Sequence, residues 1–133
     1  MKRIILVLLL PLLLVGCQSK RSGSLSELIV GQWKNQTGDI EKCFDDKGVM
    51  VFNDIKRDVV VTYTYQVQQE KPAARILSLI SISPKGESTA SSYKISSDGK
   101  TAFLYYLGRD KNLVEAVEPV YHYVSADTSA CNR

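Results

Sequence analysis

Val59, Val61, Tyr63, Tyr65 and Val67 are apolar at every second position, and Val60, Thr62, Thr64, Gln66 and Gln68 fill the places between them. A period of two separates residues onto the two faces of a strand, which a helix does not do. Ala74, Ile76, Ile80 and Ile82 alternate in the same way, with Leu77 and Leu79 opposite, so a second strand covered on both sides is predicted there. Val49 to Phe52, Tyr93 to Ile95, Ala102 to Leu107 and Val120 to Val124 are further runs rich in β-branched and aromatic residues. Turn residues punctuate them at Asp45-Asp46-Lys47-Gly48, Glu70-Lys71-Pro72, Pro84-Lys85-Gly86, Ser97-Asp98-Gly99-Lys100 and Gly108-Arg109-Asp110. Asp98-Gly99 is the sharpest hairpin signal, because tight hairpins need a positive φ that Gly accepts. One helical segment is predicted ahead of the strands. Ser24-Leu25-Ser26-Glu27 fits a capping box, Leu25, Leu28 and Ile29 share an apolar face, and Gly31 stops it. Short strands with regular turns predict an all-β antiparallel meander closed into a barrel or a sandwich.

The first residues follow a different pattern. Met1-Lys2-Arg3 is a basic head, and Ile4 to Val15 is apolar throughout except for Pro11. A bilayer span needs roughly 20 apolar residues, so this run is an export signal. Leu14-Val15-Gly16-Cys17 resembles the lipobox of bacterial lipoproteins. The resemblance implies cleavage of residues 1–16, a diacylglycerol on the Cys17 thiol, and acylation of the new amine, as with palmitate. Two or more acyl chains make a stable anchor. Residues 17–23 then read as the lipidated cysteine and a polar tether, and 24–133 as a single domain.

Of the 133 residues, 17 are Lys or Arg and 14 are Asp or Glu, a net charge of +3. Loss of Lys2 and Arg3 with the signal brings 17 down to 15 and the net charge to +1. That balance does not suit a nucleic-acid binder. Cys43 and Cys131 remain in the mature chain. An even pair in an oxidising compartment reads as a disulfide, with a metal pair or a redox pair as the alternatives.

Gly31-Gln32-Trp33, after a short helix and before strands, resembles the G-x-W motif of lipocalins and of small lipocalin-like bacterial lipoproteins. Phe44-Asp45-Asp46-Lys47-Gly48 and Tyr93 to Lys100 are similar to hairpins of the short bacterial members. The resemblance implies an antiparallel lipocalin-like barrel or half-barrel of about six to eight strands. In it Gly31 turns the chain into the first strand and Trp33 plugs the closed end. No arginine of the last predicted strand is placed to stack on Trp33, and Arg109 sits in a predicted turn.

No catalytic constellation is apparent. His122 is the only histidine, flanked by Tyr121 and Tyr123 on a predicted strand, and no second ligand or thiol accompanies it. Asp45-Asp46 lies where Asp favours a turn. No nucleophile motif, zinc spacing or phosphate loop appears. Catalytic residues, metal and cofactor are therefore all expected to be none. The seven tyrosines (Tyr63, Tyr65, Tyr93, Tyr105, Tyr106, Tyr121 and Tyr123) cover a half-buried sheet, line a cavity or form a contact surface. Adjacent Tyr105 and Tyr106 must face opposite ways. The functional expectation is a membrane-anchored, non-enzymatic interaction or structural module of the envelope. The alternative is a carrier of a small hydrophobic or amphipathic ligand in the barrel. Gln18 is not the Asp that resembles an inner-membrane retention signal. The expected location is thus the periplasmic face of the outer membrane, or the outer face of the cell membrane in a Gram-positive organism.

Overall fold

The fold is built on the strand alternation. In the computed structural model, residues 19–107 and 113–132 are described, and for residues 106–107 and 113–119 only the backbone. The predicted signal, Cys17 and the predicted turn Gly108-Arg109-Asp110 lie outside the described residues. Helix α1 (Leu25–Leu28) is followed by β1 (Gly31–Asn35), β2 (Ile40–Phe44), β3 (Val49–Asp54), β4 (Val59–Lys71), β5 (Ile76–Ile82), β6 (Ser88–Ile95), β7 (Thr101–Leu107) and β8 (Leu113–Ser125). A 3₁₀ turn, Ser129–Asn132, ends the described chain. The strands pair in sequence order, all antiparallel, and β8 returns to β1 to close an eight-stranded barrel. The closing register sets Trp33 opposite Tyr123 and Asn35 opposite Tyr121. Closure removes both sheet edges.

Helix α1 forms as its capping box predicts. Ser24 Oγ accepts from the Glu27 amide at 3.2 Å, and Glu27 Oε2 accepts from the Ser24 amide at 2.8 Å. Gly31 then admits the chain to the barrel at φ +127°. A Cβ there would stand 2.5 Å from the Ser125 carbonyl oxygen and 2.8 Å from the Tyr123 ring, so conformation and space both require Gly. The β2–β3 turn is held by Asp45, whose Oδ1 accepts from the amides of Lys47 (2.9 Å) and Val49 (2.8 Å). Its carboxylate is thereby used locally, as in an Asx turn. Asp98 does the same between β6 and β7, accepting from the Lys100 amide at 3.0 Å.

Inward positions repeat every second residue. Val61, Tyr63 and Tyr65 of β4 face inward, whereas Val59 and Val67 at its two ends are exposed. β4 is longer than its neighbours and bulges between Val67 and Gln69, so its ends outrun the core. β5 begins at Ile76, with Ala74 in the preceding turn, and its inward residues are Leu77, Leu79 and Ser81. Ile76 and Ile80 on the outer face are half-buried.

The connections β2–β3, β4–β5 and β6–β7 share one end of the barrel with α1, and that end is closed. Trp33, Phe44, Ile29, Leu77 and Ile95 are fully buried there. Phe44 meets Tyr65 and Tyr93 edge to face at 5.3 and 5.9 Å, and the Tyr65 hydroxyl donates to the Asp45 carbonyl. Burial pushes the Tyr65 phenol up to about 12, with Asp45 and Asp46 adding to the shift. Burial likewise raises Tyr93. Both values stand above the ~10 of an unfolded tyrosine. Their neutral forms therefore contribute stability that is whole below pH ~10 and is lost as pH rises through 12. An absorbance titration near 295 nm should show these two phenols ionising late, together with loss of the fold. Ionisation of all seven tyrosines near pH 10 with the barrel intact would contradict this assignment.

A second small core lies outside the barrel wall. Cys43 and Val51 point outward from β2 and β3, and Cys131 of the 3₁₀ turn packs on them with Val49 and Ala130. Cys43 and Cys131 stand at disulfide distance, with Cα atoms 5.3 Å apart. The even-pair expectation is met in placement, and the bridge ties the chain's tail to the barrel's side.

Candidate functional site

Hollows on the described residues include two at the barrel's outside and one within it. A crevice of about 20 Å³ between the outer wall and Ala130 holds a water at most. A shallow dish of about 360 Å³ beside α1 is lined by Ser26, Glu27, Val30, Asp46, Gly48, Tyr65 and Val67. The third, about 170 Å³, occupies the barrel toward the end opposite α1. Lys42, Met50, Phe52, Tyr63, Ser81, Thr89, Ser91, Tyr93 and Leu104 line it.

β2 positions the lysine. Cys43 faces outward to Cys131, so Lys42 must face inward, in register between Trp33 of β1 and Phe52 of β3. Its side chain is only 8% exposed. Nζ donates to the Tyr93 hydroxyl oxygen at 2.8 Å. It also stands 5.2 Å from the Tyr93 ring centre and 4.7 Å from that of Tyr121, within range of a cation–π attraction. The ion pairs among the described residues are Lys34–Glu41 and Arg57–Asp54, and neither reaches Lys42. Among the described residues this inward cation is held by neutral aromatic groups alone, a costly arrangement in an apolar interior. Across the barrel, β5 and β6 supply hydroxyls. Ser81 and Thr89 are cross-strand partners, and Ser91 stands opposite Leu79. The outcome is a small chamber whose described lining combines apolar side chains with Lys42 and five hydroxyl-bearing residues, Tyr63, Ser81, Thr89, Ser91 and Tyr93.

Trp33 is 1% exposed and plugs the closed end, donating Nε1–H to the Ile29 carbonyl at 2.8 Å. Tyr123 meets it edge to face at 5.4 Å. A cation does cover this pair, and it comes from ahead of the barrel: the Arg21 guanidinium lies 3.4 Å from the Tyr123 ring centre and 5.7 Å from that of Trp33. Its Nη1 donates to the carbonyls of Leu28 (2.9 Å) and Gly99 (2.8 Å), and its backbone amide donates to Asp98 at 3.0 Å. Burial lowers the Arg21 pKa, with Tyr123 opposing. Within the stretch read as tether, Arg21 is a fixed part of the plug. An arginine in a polar, Ser-rich segment carries no periodicity that would reveal this.

His122 faces outward and is exposed, paired in register with Lys34 and Thr101. No group of three His, Cys, Asp or Glu side chains suited to a metal occurs among the described residues. Of the tyrosines, Tyr63, Tyr65, Tyr93, Tyr121 and Tyr123 face the interior, and Tyr105 is half-buried on the outside beside Ser92. Lys42 and its hydroxyls went unread in the sequence, because a polar residue at an inward position breaks the alternation that marks a strand. No family model matches the sequence, and no curated protein or solved structure matches it.

Proposed function

We propose that this chain is an envelope lipoprotein, cut before Cys17 and anchored by lipid there, whose small lipocalin-like barrel binds one small amphipathic ligand without catalysis. Its place is the periplasmic face of the outer membrane, or the outer face of the cell membrane in a Gram-positive organism. The Leu14 to Cys17 pattern supports the anchor, and Gly31 with Trp33 in their present setting supports the lipocalin-like reading. The observation that carries the binding role is the chamber of about 170 Å³ in a barrel plugged at its other end. Eight strands enclose just enough room for side chains or for one small ligand. A dry cavity of about 150 Å³ takes a benzene-sized molecule, which sets the size of the guest.

Native mass spectrometry on the exported protein, extracted gently from its membrane, tests this. The expected result is a stoichiometric added mass, beyond the lipid, that is lost on denaturation. A protein carrying only its lipid would turn the assignment toward the second reading, a module that docks an envelope protein. Ile55, Val59 and Ile82, exposed at the open end, favour that reading. Crosslinking in intact cells would then be expected to recover one partner.

A further inference from the structure

We infer that the chamber is selective for a small carboxylate, with Lys42 as the group that binds the anion and an apolar body of about one ring seated against Met50, Phe52 and Leu104. This rests on the binding role proposed above and specifies its ligand. An ammonium has three donors. One of those on Lys42 is used on the Tyr93 hydroxyl at 2.8 Å, which leaves two for the chamber that Lys42 lines. A buried charge is stable when it is paired, and no described carboxylate pairs with Lys42. The rings of Tyr93 and Tyr121 offset only part of that deficit. A guest carboxylate supplies the counter-charge that no described residue gives Lys42. Charge-assisted hydrogen bonds are the strong ones, and Lys42 offers them from a largely buried side chain. Tyr93 helps by staying neutral: burial holds its phenol above the ordinary value, so it places no negative charge beside Lys42. Ser81 and Thr89, side by side on the opposite wall, suit a polar substituent on the far side of the ring.

The test compares benzoate with benzyl alcohol, its neutral counterpart of similar size. Both are titrated calorimetrically into the full-length, lipidated protein in lipid nanodiscs, with protein-free nanodiscs as the blank. The native protein is expected to bind benzoate about ten-fold or more tightly than the alcohol, since hydrogen bonds to charged groups are worth more than a factor of ten. Lys42→Met, which fills the same space without charge, is expected to bind the two equally. Equal binding of both by the native protein would overturn the carboxylate assignment and leave the binding role standing. Binding of neither would overturn both. The native comparison stands without the variant, so misfolding of Lys42→Met would not rescue the idea.

Discussion

Replacing Trp33 with alanine should lower the stability of the barrel by about 3–5 kcal/mol, the usual cost of deleting a buried aromatic ring. Trp33 joins three elements at the closed end. Its ring fills the base of the core, its Nε1 ties β1 to the residue after α1 at 2.8 Å, and its edge contact with Tyr123 sits on the β1–β8 seam that closes the barrel. Removing it leaves a cavity beneath Arg21 as well as losing the transferred surface. Against a typical total of 5–15 kcal/mol, a loss of that size brings a domain close to unfolding. Trp33→Phe should cost less, because an aromatic ring remains and the Nε1 bond is what goes. Urea unfolding followed by far-UV circular dichroism measures both variants. A change under about 1 kcal/mol for Trp33→Ala would mean that the plug does not hold the barrel together.

Cys43→Ser should cost about 2–5 kcal/mol and leave Cys131 open to a thiol reagent. The sequence separation of 88 between the cysteines makes the closed loop long, and the chain-entropy model assigns about 4–5 kcal/mol to a loop of that length. The variant should keep the barrel's strand spectrum. Cys43 lies on the outer face of β2, and the bridge fastens the 3₁₀ turn to the wall without crossing the interior. Ligand binding at Lys42, one residue away but on the other face, should survive. Reaction of both thiols in the denatured, unreduced native protein would show that no bridge forms.

Where apolar and polar residues alternate, the sequence announces its strands. Val61, Tyr63 and Tyr65 face inward as their spacing predicts, and the capping box at Ser24 and the Asp98-Gly99 hairpin form where their residues place them. The antiparallel barrel was legible to that extent, and the structure resolves barrel or half-barrel in favour of closure. Two strands were masked by the chamber itself. β2 puts Lys42 where an aliphatic residue would complete its pattern, and the first half of β6, Ser88 to Ser92, is small and polar. Thr89 and Ser91 line the chamber and Ser92 is buried on the outside, where its hydroxyl is 2.8 Å from that of Ser78. Pattern reasoning locates strands by their contribution to an apolar core. It is therefore least informative where the interior departs from apolar, and that is where the candidate site lies. Arg21 escaped for a different reason. Its role depends on Tyr123, more than a hundred positions along the chain, and no local pattern encodes a contact of that range.

The clamp on Arg21 also fixes an orientation. Only Gln18, Ser19 and Lys20 separate it from Cys17, and four extended residue steps reach at most about 14 Å. With the lipid on Cys17 proposed above, the plugged end of the barrel must face the bilayer at close quarters. The turns at 36–39, 55–58 and 83–87 then point into the aqueous compartment. The chamber would fill from water and not from the lipid phase. On that proposal the bilayer is a mooring, and the guest would arrive from the opposite side as a dissolved molecule. That geometry suits a soluble carboxylate better than a long acyl chain drawn out of the membrane beneath.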